Sequence, residues 1–363
     1  MLKHVYVYLG FALITIVAGL KPFYNWDSLP YSAILLEMDG VPPEKLCDSV
    51  YTLAKTHLPE KEYQLLIDKE GYRTIMQHAD EGFYQQLPFY YIKPLYLGAA
   101  YLAYQLGFSL PYATVVPSLI AFYLLLLIVY QWTKKHTGSP VAFIICCTLA
   151  LSLPFSGLAR ESSPDALSCF FMLYACLASL RKNMTFWVYL LFASAILTRP
   201  DNIIFVLLWY SGMWILAFEK LKPLLYGSVL AILAFILPKF WLDNYSYPVL
   251  FYHSFVEQLI FPNQASISLG LTDYLTVVLR NSYRELTQSY LLFIAAFFAM
   301  LYQQKKISKP IGILGGITTL AIAIRYTFFP VLTGRFMAFY YLLFFALILT
   351  TLTNKHEHIR STH

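Results

Sequence analysis

Apolar runs long enough to cross a bilayer follow one another along this chain. Short basic turns separate them, and two long polar stretches interrupt them. The runs cover roughly 4–20, 89–107, 112–132, 141–158, 164–180, 185–199, 201–218, 223–241, 288–304, 310–326 and 335–353. They are continuous rather than alternating, which predicts α-helices and argues against a transmembrane β-barrel. The polar stretches are 21–88 and 242–287. The pattern reads as an all-α, polytopic transmembrane helical bundle, with residues 1–363 forming a single membrane-embedded domain.

Composition supports that reading. The chain is 58% hydrophobic and 13% charged, with a mean hydropathy of +0.57. Soluble domains carry roughly 25% charged residues. No polar tract is long enough for a separate catalytic domain, so any chemistry falls to loops and helix ends. The net charge of +6 marks topology rather than nucleic-acid binding. Lys134/Lys135, Arg181/Lys182, Lys220/Lys222 and Lys305/Lys306/Lys309 fill short connections, and Lys3, Lys355 and Arg360 flank the ends. Acids are few there, Glu219 and Glu357, so these parts are expected in the cytoplasm. The stretch 21–88 is the opposite, with eleven Asp/Glu against six Lys/Arg, and is expected outside.

If every run crossed, Lys134/Lys135 would fall outside. The run 89–107 carries Lys93-Pro94, several tyrosines and Gln105, so it is read as interfacial or re-entrant. That leaves about ten spans, both termini cytoplasmic, with a bacterial inner membrane as the default location. The opening "MLKHVYVYLGFALITIVAGL" contains a tolerable cleavage site at Val17-Ala18-Gly19. It is read as an uncleaved first helix, and either reading puts Asp27 on the far side. In the outer stretch, Leu46, Val50, Leu53, Ala54 and His57 share one helical face after Pro42-Pro43, opposite Glu44, Lys45, Asp48 and Lys55. This predicts an amphipathic helix lying on the outer leaflet. Four of the five cysteines lie in apolar runs without metal-ligand or disulfide spacing. They read as small hydrophobes.

The outer turns hold charges where the positive-inside rule disfavours them. Arg160, Glu161 and Asp165 lie in "GLARESSPDALS", Arg199 and Asp201 in "ILTRPDNIIF", and Arg325 and Arg335 flank the last outer turn. Lys93 lies in "FYYIKPLY", and Asp27 stands among Tyr24 and Trp26 in "FYNWDSLPY". The short runs 185–199 and 201–218 put Arg199 and Asp201 near headgroup depth or below, where ionised groups need partners or a use. One such use is structural, with Arg199 paired to Asp201 or Arg160 to Asp165 tying helices together. The other is chemical. Guanidinium forks match phosphate, a carboxylate opposite them can take a proton from a hydroxyl, and aromatic rings suit sugars.

This ordered set resembles the GT-C superfamily, the multi-spanning glycosyltransferases that use polyprenyl-phosphate sugar donors. The nearest branch is that of the protein-mannosyltransferases and aminoarabinose transferases. Asp27 stands where the family has an essential Asp after its first helix. Ile92-Lys93-Pro94-Leu95-Tyr96 matches a Lys-Pro-Pro-Leu-like element with one proline fewer. Arg160 and Asp165, Thr198-Arg199-Pro200-Asp201 and Gly334-Arg335-Phe336 match the later motifs. Many relatives have Asp-Glu in the first loop where Ser28 follows Asp27 here, and many carry a large C-terminal soluble domain that this sequence lacks.

The resemblance implies transfer of a sugar from a polyprenyl-phosphate donor to a glycan, lipid or protein acceptor hydroxyl on the outer face, with inversion. Asp27 would be the general base. Lys93, Arg199, Arg335 and Arg325 would hold the donor phosphate, and Tyr24, Trp26, Arg160, Asp165 and Asp201 would shape the pocket. No cofactor is implied, and a divalent metal is not indicated. Residues 242–287, with Tyr245, Tyr247, His253 and Glu257, would cap the acceptor side, with His253 itself read as structural. An O-antigen ligase or polymerase and a lipid-linked-sugar flippase are the alternatives.

Overall fold

The computed structural model describes residues 5–67, 71–181, 184–288, 291–303, 307–332 and 334–360. Lys3, Lys182, Lys305 and Lys306, used above to orient the chain, lie outside that set. Among the described residues the regular elements are helices, with one isolated β-bridge, between Phe23 and Glu161.

Among the described residues, four helices are long and apolar enough to cross a membrane: Leu110–Thr137, Leu221–Trp241, Lys309–Phe328 and Gly334–Leu352. Shorter apolar helices accompany them at Val5–Gly19, Asp165–Leu180, Phe186–Thr198, Asn202–Ile215 and Ile294–Gln303. The run 141–158 is not one helix. It forms Ser139–Leu151 and Pro154–Arg160, bent by 71°. Pro154 has no N–H to offer the Ala150 carbonyl, and Ser152 is extended at φ −71° and ψ 147°.

Apolar burial holds the bundle together. One core runs from Val7 and Phe11 through Phe122, Met172, Phe192, Phe205 and Trp209 to Phe339 and Leu343. Small residues permit close approach. Helix Leu221–Trp241 turns Gly227, Ala231 and Ala234 inward, and a Cβ on Gly227 would meet the Tyr189 ring. The opposite side of that helix exposes Leu225, Tyr226, Val229 and Leu233.

Connectivity divides the bundle into two ends. Asp165 begins one helix, Arg199 and Asp201 join the next two, and Arg325 closes helix Lys309–Phe328. These residues share one end. Ser118 Oγ donates to the Ser163 carbonyl at 2.9 Å, which puts the start of helix Val116–Thr137 there too. Lys134 and Lys135 in its last turn, with Lys220, Lys222 and Lys309, therefore lie at the opposite end. Among the described residues, these lysines and the ionic turns lie at different ends of the bundle.

A second core covers the ionic end. Helices Ser28–Met38, Pro43–His57 and Pro94–Gln105 pack Tyr31, Leu35, Leu46, Val50, Tyr96 and Ala100 together. The segment 89–107 does not cross the bundle. Tyr96 Oη, at the start of helix Pro94–Gln105, donates to the Thr114 carbonyl at 2.6 Å, just before the next long helix. Both flanks therefore lie at the same end. Helix Pro43–His57 corrects an expectation. Its face of Leu46, Cys47, Val50 and Ala54 is buried against protein, not laid on a leaflet, and His57 is exposed.

The second polar stretch is structured as well, with helices Tyr247–Phe255 and Leu271–Gln288. It docks on this second core through Gln86, whose Nε2 donates to the Leu259 and Ile260 carbonyls, both at 3.1 Å.

Candidate active site at a cluster of helix ends

The ionic residues are placed by helix termini. Asp27 precedes helix Ser28–Met38, Asp165 begins Asp165–Arg181, and Asp201 precedes Asn202–Ile215. Carboxylates there meet the positive ends of the helix dipoles, worth about 0.3–1 kcal/mol each. Arg199 ends Phe186–Thr198 and Arg325 lies in the last turn of Lys309–Phe328, where cations are favoured. Arg335 is turned into the cluster by a 3₁₀ segment, Gly334–Met337. Gly334 adopts φ +63°, a conformation that a side chain would strain.

Arg335 is the hub. Its Nη2 donates to Asp27 Oδ2 at 3.2 Å, its Nε lies 2.9 Å from Asp165 Oδ2, and its Nη1 pairs with Glu161. Arg199 pairs with Asp165 and binds Asp201 through Nη2 at 2.9 Å. Arg325 Nε reaches Asp201 Oδ2 at 2.9 Å, and its Nη1 donates to the Val331 carbonyl at 3.0 Å. Arg325 Nη2 is buried without a partner. The Phe336 ring backs all three guanidiniums, 5.0, 5.6 and 5.3 Å from the central carbons of Arg199, Arg325 and Arg335. Between Asp165, Asp201, the three guanidiniums, Phe336, Asn202, Ser168 and Tyr340 a cavity of about 20 Å³ remains, room for about one water; Asp27, Glu161 and Lys93 stand outside its lining.

Asp27 and Lys93 share a tyrosine box. Tyr90 Oη donates to Asp27 Oδ1 at 3.0 Å, and Lys93 Nζ donates to Tyr31 Oη at 2.8 Å. The ammonium lies 5.1 Å from the centre of the Tyr31 ring and 4.8 Å from that of Tyr90. Burial pushes the Lys93 pKa down to about 8, against the pull of Asp27. Burial also raises the Glu161 carboxyl, which Arg335 partly offsets. Asp201 stays well below the usual carboxylate range, because Arg199 and Arg325 outweigh its burial.

The cluster unites Asp27, Asp165, Asp201, Arg199, Arg325 and Arg335, with Lys93 alongside. Three expected pocket residues stand elsewhere. Arg160 does not face the cluster or pair with Asp165. It donates instead to the Lys21 carbonyl, and its own carbonyl accepts from Phe23 N at 2.8 Å. Glu161, extended at φ −89° and ψ 142°, turns to the opposite side and takes the place in the network. Trp26 packs on Tyr72 and Phe83, and Tyr24 is buried in the second core. Neither lines the cavity. Tyr31 and Tyr90 join the site without a reading from sequence, and Glu161 and Phe336 are named there only beside Arg160 and Arg335. Their signal was proximity, since each lies within four residues of a flagged charge or of Tyr-rich "FYYIKPLY".

The would-be cap residues hold structure together. His253 stacks on Phe89 at 4.6 Å, and burial pushes its pKa down to about 4. Tyr245 Oη donates to the Gln85 carbonyl, and Tyr247 Oη to that of Phe328. Glu257 accepts from Tyr252. Cys47, Cys146, Cys169 and Cys176 are buried as free thiols. Among the described residues, no three His, Cys, Asp or Glu side chains group as a metal site. Family models, curated proteins and solved structures give no match to this chain.

Proposed function

We propose that the protein is an integral-membrane glycosyltransferase. It moves a sugar from a polyprenyl-phosphate donor to an acceptor hydroxyl at the ionic end, taken as the outer face. Ten helical elements cross in this reading, with the basic connections and both termini in the cytoplasm. The supporting observation is the meeting of Asp27 with Arg335 across 308 positions of sequence, inside a cluster that also holds Arg199 and Arg325.

Asp27 accepts the acceptor's proton as that oxygen attacks the anomeric carbon from the side opposite the phosphate. The bond from that carbon to the phosphate oxygen breaks, and polyprenyl phosphate leaves. Guanidiniums stabilise the charge that develops on it, often the largest catalytic term. Glu161 and Asp165 orient Arg335 and Arg199.

Charge balance shapes how the donor enters. Lys93, Arg199, Arg325 and Arg335 stand against Asp27, Glu161, Asp165 and Asp201, so an arriving phosphate must displace a carboxylate. Asp27 is the one to yield. Its contact with Arg335 is the longest in the cluster, and its side chain is the most exposed of the four, at 34%. Displacement frees Asp27 to act as base, and Arg325 Nη2 supplies a further donor.

The same charge balance favours a second reading, an ion network that only ties helix ends together. A flippase fits less well, because buried Met172, Cys176, Phe205 and Trp209 fill the helix interfaces away from the cluster. An O-antigen ligase or polymerase would place its chemistry in a large late loop, whereas here Asp27 sits in the ionic cluster. The test is to incubate the protein in proteoliposomes with polyprenyl-phosphate sugars of several head groups and acceptors, and to follow released prenyl phosphate. Release supports transfer. No release with any donor, from protein that remains folded, leaves the structural network.

A further inference from the structure

Helix Leu271–Gln288 has three faces rather than two. At 3.6 residues per turn, Tyr274, Val277, Asn281 and Glu285 share one sector. This sector packs against the protein. Tyr274 Oη donates to the Thr327 carbonyl, and Glu285 Oε2 accepts from Leu332 N at 2.8 Å. Ser282 Oγ and Tyr326 Oη lie 3.0 Å apart beside it. Asn281 and Val277 are buried.

The next sector carries Leu271, Leu275, Leu279 and Tyr283, and it faces away from the protein. Leu271, Leu279 and Tyr283 are 73%, 71% and 79% exposed. The third sector carries Asp273, Thr276, Arg280 and Arg284, also exposed, with Arg280 Nη2 donating to the Phe255 carbonyl at 2.7 Å and Arg284 paired with Glu285. A helix bathed in water on both free faces would have no use for leucines on one of them. A helix between protein, acyl chains and water needs all three.

We propose that this helix lies along the bilayer surface at the ionic end, its leucine sector covered by the acyl chains of that leaflet and its Arg280/Arg284 sector in water. Helix Leu291–Gln303, the next in the chain, likewise exposes apolar residues, Phe297, Met300 and Tyr302. Phe328, beside Thr327, is exposed as well. The placement also fixes a depth. Glu285 holds Leu332, and Arg325 binds the adjacent Val331 carbonyl, so the ionic cluster sits one short loop from the bilayer surface. This placement is independent of any chemistry at the cluster.

The test is site-directed spin labelling of the full chain in liposomes. Single cysteines are placed at 271, 275 and 279 on one sector and at 273, 276, 280 and 284 on the other, with the parent protein as background. Oxygen, which partitions into lipid, and a nickel chelate, which stays in water, serve as relaxation agents. The oxygen-to-nickel accessibility ratio is expected to be several-fold higher at the leucine positions, with a helical period. Leucine positions open to nickel would overturn the placement, as would positions shielded from both agents, which would mean a second copy or another protein covers them. If one variant fails to fold, the position four residues along reports the same face.

Discussion

Replacing Arg335 with Gln removes the one cation shared by Asp27, Glu161 and Asp165. Asp165 keeps Arg199, and Asp27 is a third exposed and keeps Tyr90. The loss therefore falls on Glu161, 20% exposed, whose burial already favours its neutral form. Breaking a buried pair by removing one partner costs about 3–5 kcal/mol. The residual solvent at Glu161 argues for the lower end, about 3 kcal/mol. Neutralising the orphan as well, in Glu161→Gln/Arg335→Gln, is expected to recover about 1–2 kcal/mol. The assay is the half-life of the folded protein in detergent at a fixed temperature, because membrane proteins often unfold irreversibly. At tenfold per 1.4 kcal/mol, Arg335→Gln shortens that half-life by up to about a hundredfold. The deficit shrinks as pH falls, because a protonated Glu161 needs no cation. Parent-like decay of Arg335→Gln, or a double variant worse than Arg335→Gln alone, would refute the shared-cation account.

Other expectations follow from single contacts. Phe336→Leu keeps most of the volume but loses the ring face against three guanidiniums, so a loss of about 1–2 kcal/mol is expected in the same assay. Lys93 has a pKa lowered from its ordinary 10.5 to about 8, so between those values the unfolded chain binds more protons. The burial penalty of Lys93 is thus fully present below about pH 8 and is relieved as pH rises toward 10.5. Relative to Lys93→Gln, the parent should gain stability across that window in a pH series of melts. The contribution of Lys93 to donor affinity should fade over the same range, and Lys93→Arg should abolish that fading. Gly227→Ala drives a methyl into the Tyr189 ring and is expected to cost about 1–3 kcal/mol, whereas Gly98→Ala meets nothing within 4 Å and should stabilise its helix by up to about 1 kcal/mol. Paired melts of the two glycine variants check both signs.

Residue types told more than residue directions did. The ionic end was legible because charge at the ends of apolar helices is costly to place and so stands out in Arg199, Arg325 and Arg335. The Arg199–Asp201 pair spans a turn two residues long and could be read locally. Glu161 was overshadowed by Arg160, because alternation in an extended strand decides which of two neighbours turns inward, and the letters alone do not fix the strand's rotation. Amphipathic periodicity has the same blind side. It shows that helix Pro43–His57 has an apolar face but not what covers it, and tertiary packing claimed that face. The helix Leu271–Gln288 was hidden by its charges, since Asp273, Arg280, Arg284 and Glu285 made the stretch read as a loop despite leucines four residues apart. Pro154 could have marked the break in 141–158, but the apolar run around it masked the loss of one hydrogen bond.

The most direct measurement compares the parent with Asp27→Asn for prenyl phosphate release from the best polyprenyl-phosphate sugar, alongside donor binding by both. The expected result is retained donor binding with transfer slowed by roughly 10²–10⁴-fold, the usual contribution of a positioned general base. Transfer by folded Asp27→Asn at the parent rate would contradict the assignment of that carboxylate as the base.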